Sequence, residues 1–189
     1  MDLALLVLRL VVGLFFVGHG AQKLFGSFGG HGIDGTAGFF ESLGIRPGRR
    51  NALAAGWSEL LGGALLAAGL LSPLAAVLLI SVMTTAIITV HGKNGPWATE
   101  QGYEYNAVLV AVAFLIAAVP GDWSLDAAFG LGADHGIGFA LGALAVGVAG
   151  GILAVVAGRT GAAPAAPPVT TAEAEDRFER VPATERINR

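Results

Sequence analysis

The sequence of 189 residues is 54% hydrophobic and only 13% charged, and its mean hydropathy is +0.68. Soluble chains carry about 25% charged residues, so the composition predicts a polytopic membrane protein whose first partner is the lipid bilayer. A net charge of −3 gives no reason to expect nucleic acid as a partner. The absence of cysteine excludes disulfides, thiol redox chemistry and iron–sulfur ligation by cysteine.

The first hydrophobic segment, residues 3–23, has a length of about 20 residues and can cross a bilayer as a helix. Arg9, Phe16 and Lys23 are seven residues apart and share one face of this helix, with His19 beside them. One stripe of the predicted helix is therefore charged, while the rest is Leu, Val and Phe.

The apolar stretch after the first loop would be about 58 Å long as a single helix, nearly twice the hydrocarbon thickness of a bilayer, and must fold back. Ser72-Pro73 marks the turn, with Ser72 as helix N-cap and Pro73 at the first helical position. We therefore predict helices over residues 52–70 and 73–91. Residues 39–45, before them, are compatible with a short interfacial helix and with an ordinary connecting loop.

Two further segments complete the predicted fold. Residues 103–119 form a fourth helix whose apolar part is too short to span alone, so it takes Glu104, Tyr105 and Asn106 into the interface or the bundle. Residues 136–157 form a fifth, in which small residues four apart allow close helix approach: Gly138, Gly142, Ala143, Gly147 and Gly151. The predicted fold class is all-α, a polytopic transmembrane helical bundle with a four-helix core and a fifth span.

The end of the chain, residues 158–189, is rich in Ala and Pro and then in charges of both signs. It has too little apolar content for a core and is predicted to be a disordered cytoplasmic tail, in which residues 172–180 could form a short helix. With five spans, this tail shares one side of the membrane with the first and third loops. Arg9 is the sole basic residue toward the other side, so the positive-inside rule places the N-terminus outside and the C-terminus in the cytoplasm. The basic residues on the cytoplasmic side are Lys23, Arg46, Arg49, Arg50, Lys93 and Arg159.

Four predicted helices bring polar residues to the cytoplasmic half of the bundle: His19, Lys23, Glu59, His91, Glu104 and Asn106. A carboxylate at the depth of Glu59 costs about 2.5–3.5 kcal/mol on insertion scales, so we predict that it faces the bundle and finds a partner. His19 and Lys23 match its depth. Structural ion pairing explains Glu59 as well as catalysis or proton transfer does.

Other interpretations of these residues stay open. Lys23, close to a helix end, can reach lipid phosphate by snorkelling, and Arg9 can extend outward as an anchor on the opposite side. His19, His91 and Glu59 are ligand types for a metal, but three ligands on three helices have no diagnostic spacing, and we predict no metal site.

Two patterns in the sequence resemble the DoxX family of small bacterial integral membrane proteins. The first is Leu8-Arg9-Leu10, Gly13-Leu14-Phe15-Phe16, His19-Gly20 and Gln22-Lys23-Leu24-Phe25. The second is Glu59-Leu60-Leu61-Gly62-Gly63-Ala64-Leu65-Leu66, followed by the segment that ends at His91. The resemblance covers residues 3–119 and implies a helical bundle in the bacterial plasma membrane. It carries over as candidate functional residues Arg9, His19, Lys23, Glu59 and His91.

The resemblance also implies a function. Relatives include a quinone-reducing subunit of an archaeal thiosulfate oxidoreductase, and actinobacterial members are tied to redox or oxidative-stress assemblies. We therefore expect a component of a membrane redox system, with quinone as the candidate cofactor and electrons supplied by a soluble redox enzyme or another membrane subunit. Most members have no established reaction, so enzymatic activity is left open. A non-catalytic scaffold for a soluble enzyme is the alternative, and a small transporter ranks last.

The candidate site residues divide into two groups. Those expected to hydrogen-bond a quinone or to exchange its protons are Glu59, His19 and His91. Those expected to bind or to form ion pairs are Arg9, Gln22, Lys23, Glu104 and Asn106.

Overall fold

The computed structural model describes residues 1–160, and the greater part of the predicted tail, including residues 172–180, lies outside them. The described residues form seven α-helices and no β-strand. The helices are α1 (Asp2–Phe25), α2 (Gly32–Ser42), α3 (Gly48–Ala68), α4 (Ser72–Ala86), α5 (Glu104–Ala118), α6 (Leu125–Ala128) and α7 (Gly136–Thr160). The last of these continues three residues beyond the predicted end of the fifth segment.

The long helices form a single bundle. α1 packs along α3, α3 along α4, and α4 along both α5 and α7, while the short helix α2 lies against α1 and α3. One part of the core lies among α1, α3, α4 and α5, and it is built from Leu5, Phe16, Leu66, Leu79 and Ile116. A second part joins α4, α5 and α7 through Ile80 and several alanines. The prediction of an all-α helical bundle is confirmed.

Three helical stretches are long and apolar enough to cross a membrane: Asp2–Phe25, Ser72–Asn94 and Gly136–Thr160. Large apolar side chains, among them Leu14 and Phe15 of α1, are exposed on the outside of the bundle. This outer surface suits contact with lipid chains. The molecule is therefore a membrane protein. α5 is apolar but only 15 residues long, and α3 is not among the three, so the count of five spans stays a prediction.

The contact between α1 and α3 is close because glycines face each other across it. A Cβ atom on Gly13 would lie 2.6 Å from the carbonyl oxygen of Gly63, and one on Gly20 would lie 2.8 Å from that of Gly56. A methyl group has no room at either place. Small residues let two backbones approach and gain dispersion contacts along their length.

The turn between α3 and α4 lies at the predicted position, but the N-cap prediction is wrong. Ser72 is the first residue of α4, and the N-cap is Leu71, with φ of 47°. The backbone N–H groups of Leu71 and Ser72 donate to the Asp126 carboxylate over 2.6 and 2.9 Å. A carboxylate with two oxygens satisfies both groups, so the capping group comes from α6 rather than from the turn itself.

The small residues of α7 divide into two sets. Gly147 and Gly151 are buried against α4, where a Cβ atom on Gly151 would lie 2.6 Å from the Ser81 carbonyl oxygen. Gly138 and Gly142 have open space around them. The close approach to α4 thus forms in the second half of the predicted pattern and not in the first.

Candidate functional site

Lys23 of α1 and Glu59 of α3 form an ion pair, with 2.5 Å between Nζ and Oε2. The Glu59 side chain is 4% exposed and that of Lys23 is 28% exposed. Gly20 and Gly56 bring the two helices together just beside the pair. His19 and Lys23 both match the depth of Glu59 in the predicted bundle, and in the structure Lys23 is its partner.

A cavity of about 290 Å³ opens beside this ion pair. Its walls come from α2 and the connection after it, from α3, and from α4 with the segment 87–91 that continues it. α1 and α7 contribute single residues. Most of the lining is apolar, with Phe39, Phe40, Ile45, Val82 and Val90 among the larger side chains. Lys23, Glu59 and His91 are its titratable residues, so the cavity combines an apolar wall with a few polar groups, as ligand sites do.

Three hydroxyl residues, two in α4 and one in the π-helix that follows it, also line the cavity, but their protons are already donated. Ser81 Oγ donates to the Gly147 carbonyl over 3.0 Å, and Thr85 Oγ1 lies 2.9 Å from the Ser81 carbonyl. Thr89 donates in the same way to the Thr85 carbonyl. These bonds hold α4 to its own backbone and to α7, so the hydroxyls form no chain of donors that leads out of the cavity.

His91 is the last residue of the π-helix Ile87–His91, which continues directly from α4. It lies in the cavity wall. Its Nδ1 lies 2.8 Å from the Gln101 carbonyl oxygen.

The other predicted residues of this half do not line the cavity. His19 is exposed, and its Nδ1 lies 3.1 Å from Oε1 of Gln22, whose amide donates to the Phe28 carbonyl. Asn106 is buried and contacts the sulfur of Met83 over 3.4 Å. Glu104 is half-buried at the start of α5. The predicted cluster therefore reduces to Lys23, Glu59 and His91.

Within residues 1–160, no group of three His, Asp or Glu side chains is placed to hold a metal ion. His19, His91 and Glu59 are therefore not brought together as a ligand set.

The DoxX family pattern matches residues 4–92, the stretch that holds Lys23, Glu59 and His91. The chain is also 32% identical over 111 residues to "Putative oxidoreductase CatD" of Bacillus subtilis (strain 168). That match covers 59% of this chain and 76% of the relative. The chain belongs to the DoxX family. No solved structure matches it.

In this DoxX protein the matched stretch runs from α1 to the end of the π-helix and contributes most of the cavity wall. α5, α6 and α7 follow it in the chain. They supply Ala154 to the cavity. This part of the chain also contributes to a second polar cluster at the other end of the bundle.

Arg9 belongs to that second cluster. Its side chain is 1% exposed, so it is not the outward-extending anchor that the sequence suggested. Its Nη2 donates to the carbonyl oxygen of Trp123, in the connection between α5 and α6. It also lies against Gly69, where any side chain would overlap the guanidinium group. Arg9 thus ties α1 to the two connections at this end.

Asp126 is the centre of the second cluster. Its side chain is fully buried, and Oδ2 lies 3.1 Å from Nε2 of His135, which precedes α7. Burial raises the pKa of the carboxyl, but hydrogen bonds from Ser72, His135 and Leu71 outweigh burial and bring the pKa below its ordinary value of 3.8. The carboxylate also attracts Arg9 electrostatically. The cluster therefore joins α1, α4, α6 and α7.

Asp126 and His135 were not among the predicted site residues. The local sequence marks only the helix start, since Ser124 accepts a hydrogen bond from Ala127 as the N-cap of α6. Nothing near Asp126 in the chain indicates that its partners lie more than fifty residues earlier.

Proposed function

We propose that this DoxX protein is a component of a membrane-associated redox system and that its cavity binds the head group of a quinone. The observation that carries the proposal is the Lys23–Glu59 ion pair in the wall of an apolar cavity. A volume of about 290 Å³ lies near the lower end of the range for ligand pockets, about 300–1,000 Å³, and suits a single substituted ring.

The polar groups fit the needs of a quinone. A quinone takes up two electrons and two protons when it is reduced, and Lys23, Glu59 and His91 are groups that exchange protons. The ammonium group of Lys23 is a donor for a carbonyl oxygen. In this proposal the electrons come from a partner redox enzyme. A redox role agrees with the name of the Bacillus subtilis relative, an oxidoreductase.

Titration of short-chain decylubiquinone into the protein in lipid nanodiscs, followed by calorimetry, tests this proposal. Glu59→Gln removes the carboxylate of the cavity and is expected to weaken binding at least fivefold. Glu104→Gln, at the same end of the bundle but outside the cavity, is the matched control and should bind as the wild type does. Absence of binding, or equal loss in both variants, would contradict the proposal.

The orientation of the bundle is a second part of the proposal. Arg46, Arg49 and Arg50 are exposed at the end where the cavity lies, together with Lys93 and Arg159. The positive-inside rule supports a cytoplasmic position of this end in the bacterial plasma membrane. A soluble redox partner would then approach the cavity from the cytoplasm.

Cysteine labelling tests the orientation directly, because the natural chain has no cysteine. Lys93→Cys and Asp122→Cys place single thiols at opposite ends of the bundle. In intact cells a membrane-impermeant maleimide should label the second and spare the first, and inverted vesicles should give the reverse. Labelling of Lys93→Cys in intact cells would overturn the proposed orientation.

A scaffold function is supported by the same exposed arginines, which offer a docking surface to an acidic soluble protein. Co-purification from native membranes compares the two functions. A scaffold that acts through the tail should lose its partner when residues 161–189 are deleted and keep it in Glu59→Gln.

A further inference from the structure

His91 carries its proton on a defined ring nitrogen. Nδ1 lies 2.8 Å from the backbone carbonyl oxygen of Gln101. A carbonyl oxygen only accepts hydrogen bonds, so Nδ1 must be the donor. In the neutral imidazole, Nε2 then has no proton and is an acceptor.

The connection after the π-helix holds that carbonyl in place. Gln101 has a left-handed backbone, with φ of 61°, and its carbonyl also accepts a bond of 3.2 Å from the amide of Asn94. The N–H of Gly102 donates to Trp97 and that of Tyr103 to Gly95. Since the connection is closed by its own backbone bonds, the protonation of Nδ1 follows from the fold and requires no ligand.

Several other polar groups of the cavity already have partners in the protein. Lys23 donates to Oε2 of Glu59, and the hydroxyl protons of Ser81, Thr85 and Thr89 go to backbone carbonyl oxygens. His91 Nε2 has no hydrogen bond within residues 1–160, and as the unprotonated nitrogen of a neutral ring it is an acceptor.

We propose that Nε2 of His91 accepts a hydrogen bond from a ligand hydroxyl, so that the cavity binds the hydroquinone form more tightly than the quinone form. This inference rests on the proposed quinone function and specifies it. A quinone carbonyl has no proton to give to Nε2, whereas a hydroquinone hydroxyl has one. A tenfold preference for the reduced form raises the midpoint potential of the bound two-electron couple by about 30 mV.

Anaerobic calorimetry with decylubiquinol and decylubiquinone in nanodiscs measures the preference. We expect wild-type protein to bind the quinol five- to tenfold more tightly. His91→Asn keeps an amide donor where Nδ1 lies but offers no acceptor where Nε2 lies, so the preference should fall to about one with quinone affinity unchanged. His91→Gln can place its amide oxygen near the position of Nε2 and should retain part of the preference.

Nitrogen-15 spectra of histidine-labelled protein test the tautomer independently, with His91→Asn used to assign the signal. A protonated Nδ1 and bare Nε2 are expected with and without ligand. A protonated Nε2, equal affinity for the two forms, or a preference that survives in His91→Asn would overturn this inference and leave quinone binding intact. Absence of binding of either form would overturn both proposals.

Discussion

Asp126 accepts a hydrogen bond of 2.9 Å from the backbone N–H of Ser72, which lies 54 positions earlier in the chain. The same buried carboxylate accepts from Leu71 and lies against His135. One side chain therefore caps α4 and connects it to the residue that precedes α7. A single carboxylate therefore links three elements at this end of the bundle.

Asp126→Ala should destabilise the protein strongly. Two buried N–H groups lose their acceptor, at about 1–3 kcal/mol for each unsatisfied group. Thermal unfolding in detergent, followed by circular dichroism, measures the loss. Asp122→Ala, at an exposed aspartate of the same connection, is the control and should unfold like the wild type. A loss of similar size in both variants would show that the capping bonds are not its cause.

Asp126 also predicts a pH dependence. The pKa of Asp126 is lower in the folded protein than its ordinary value of 3.8. Between these two pKa values the unfolded chain therefore binds more protons than the folded protein does. The stabilisation is complete above pH 3.8 and is lost as the pH falls toward the folded pKa. The difference in melting temperature between wild type and Asp126→Asn should therefore be constant near neutrality and shrink below about pH 4. A difference that grows on acidification would contradict this assignment.

The two halves of the Lys23–Glu59 pair should respond unequally to mutation. Lys23→Met leaves a carboxylate that is 4% exposed without a partner, whereas Glu59→Gln leaves an ammonium group that is 28% exposed and can reach water. We expect Lys23→Met to cost about 1–3 kcal/mol, below the value for a fully buried pair, and Glu59→Gln to cost less. The double variant should recover part of the loss. Equal costs, or strictly additive ones, would argue against coupling.

The glycine contact between α1 and α3 gives a prediction with a control in the same helix. Gly13→Ala places a methyl group 2.6 Å from a backbone oxygen of α3 and should cost about 1–3 kcal/mol through overpacking. Gly18→Ala meets no atom within 4 Å and should be neutral or slightly stabilising. Unfolding in a graded detergent mixture would compare them. A neutral Gly13→Ala would show that the helices can separate without loss.

The sequence allowed the helix order to be predicted and narrowed the partner of Glu59 to His19 or Lys23, because both inferences follow from spacing and from the cost of an unpaired carboxylate in an apolar helix. The surroundings of Arg9 and Asp126 could not be predicted in this way. Their partners come from connections more than fifty residues away, and no local pattern indicates such a return. The prediction that His19 joins the polar groups around Glu59 differs from the structure for another reason. The His19 ring lies against the Gln22 side chain on the same helix.

His91 shows a third limit. Its Nδ1 lies 2.8 Å from the carbonyl oxygen of Gln101, in the connection between the π-helix and α5. That contact depends on the fold of the connection, which has no clear signature in a single sequence.

α3 has a consequence for the assembly of the protein in the membrane. It is not apolar enough to count as a span by itself, and it carries Glu59 in its middle. Lys23, which neutralises that carboxylate, lies on a helix that is synthesised before α3. We therefore expect the translocon to release α3 into the lipid only beside α1. A truncated chain that begins at Arg46 should leave α3 outside the bilayer, even though every residue of that helix is present.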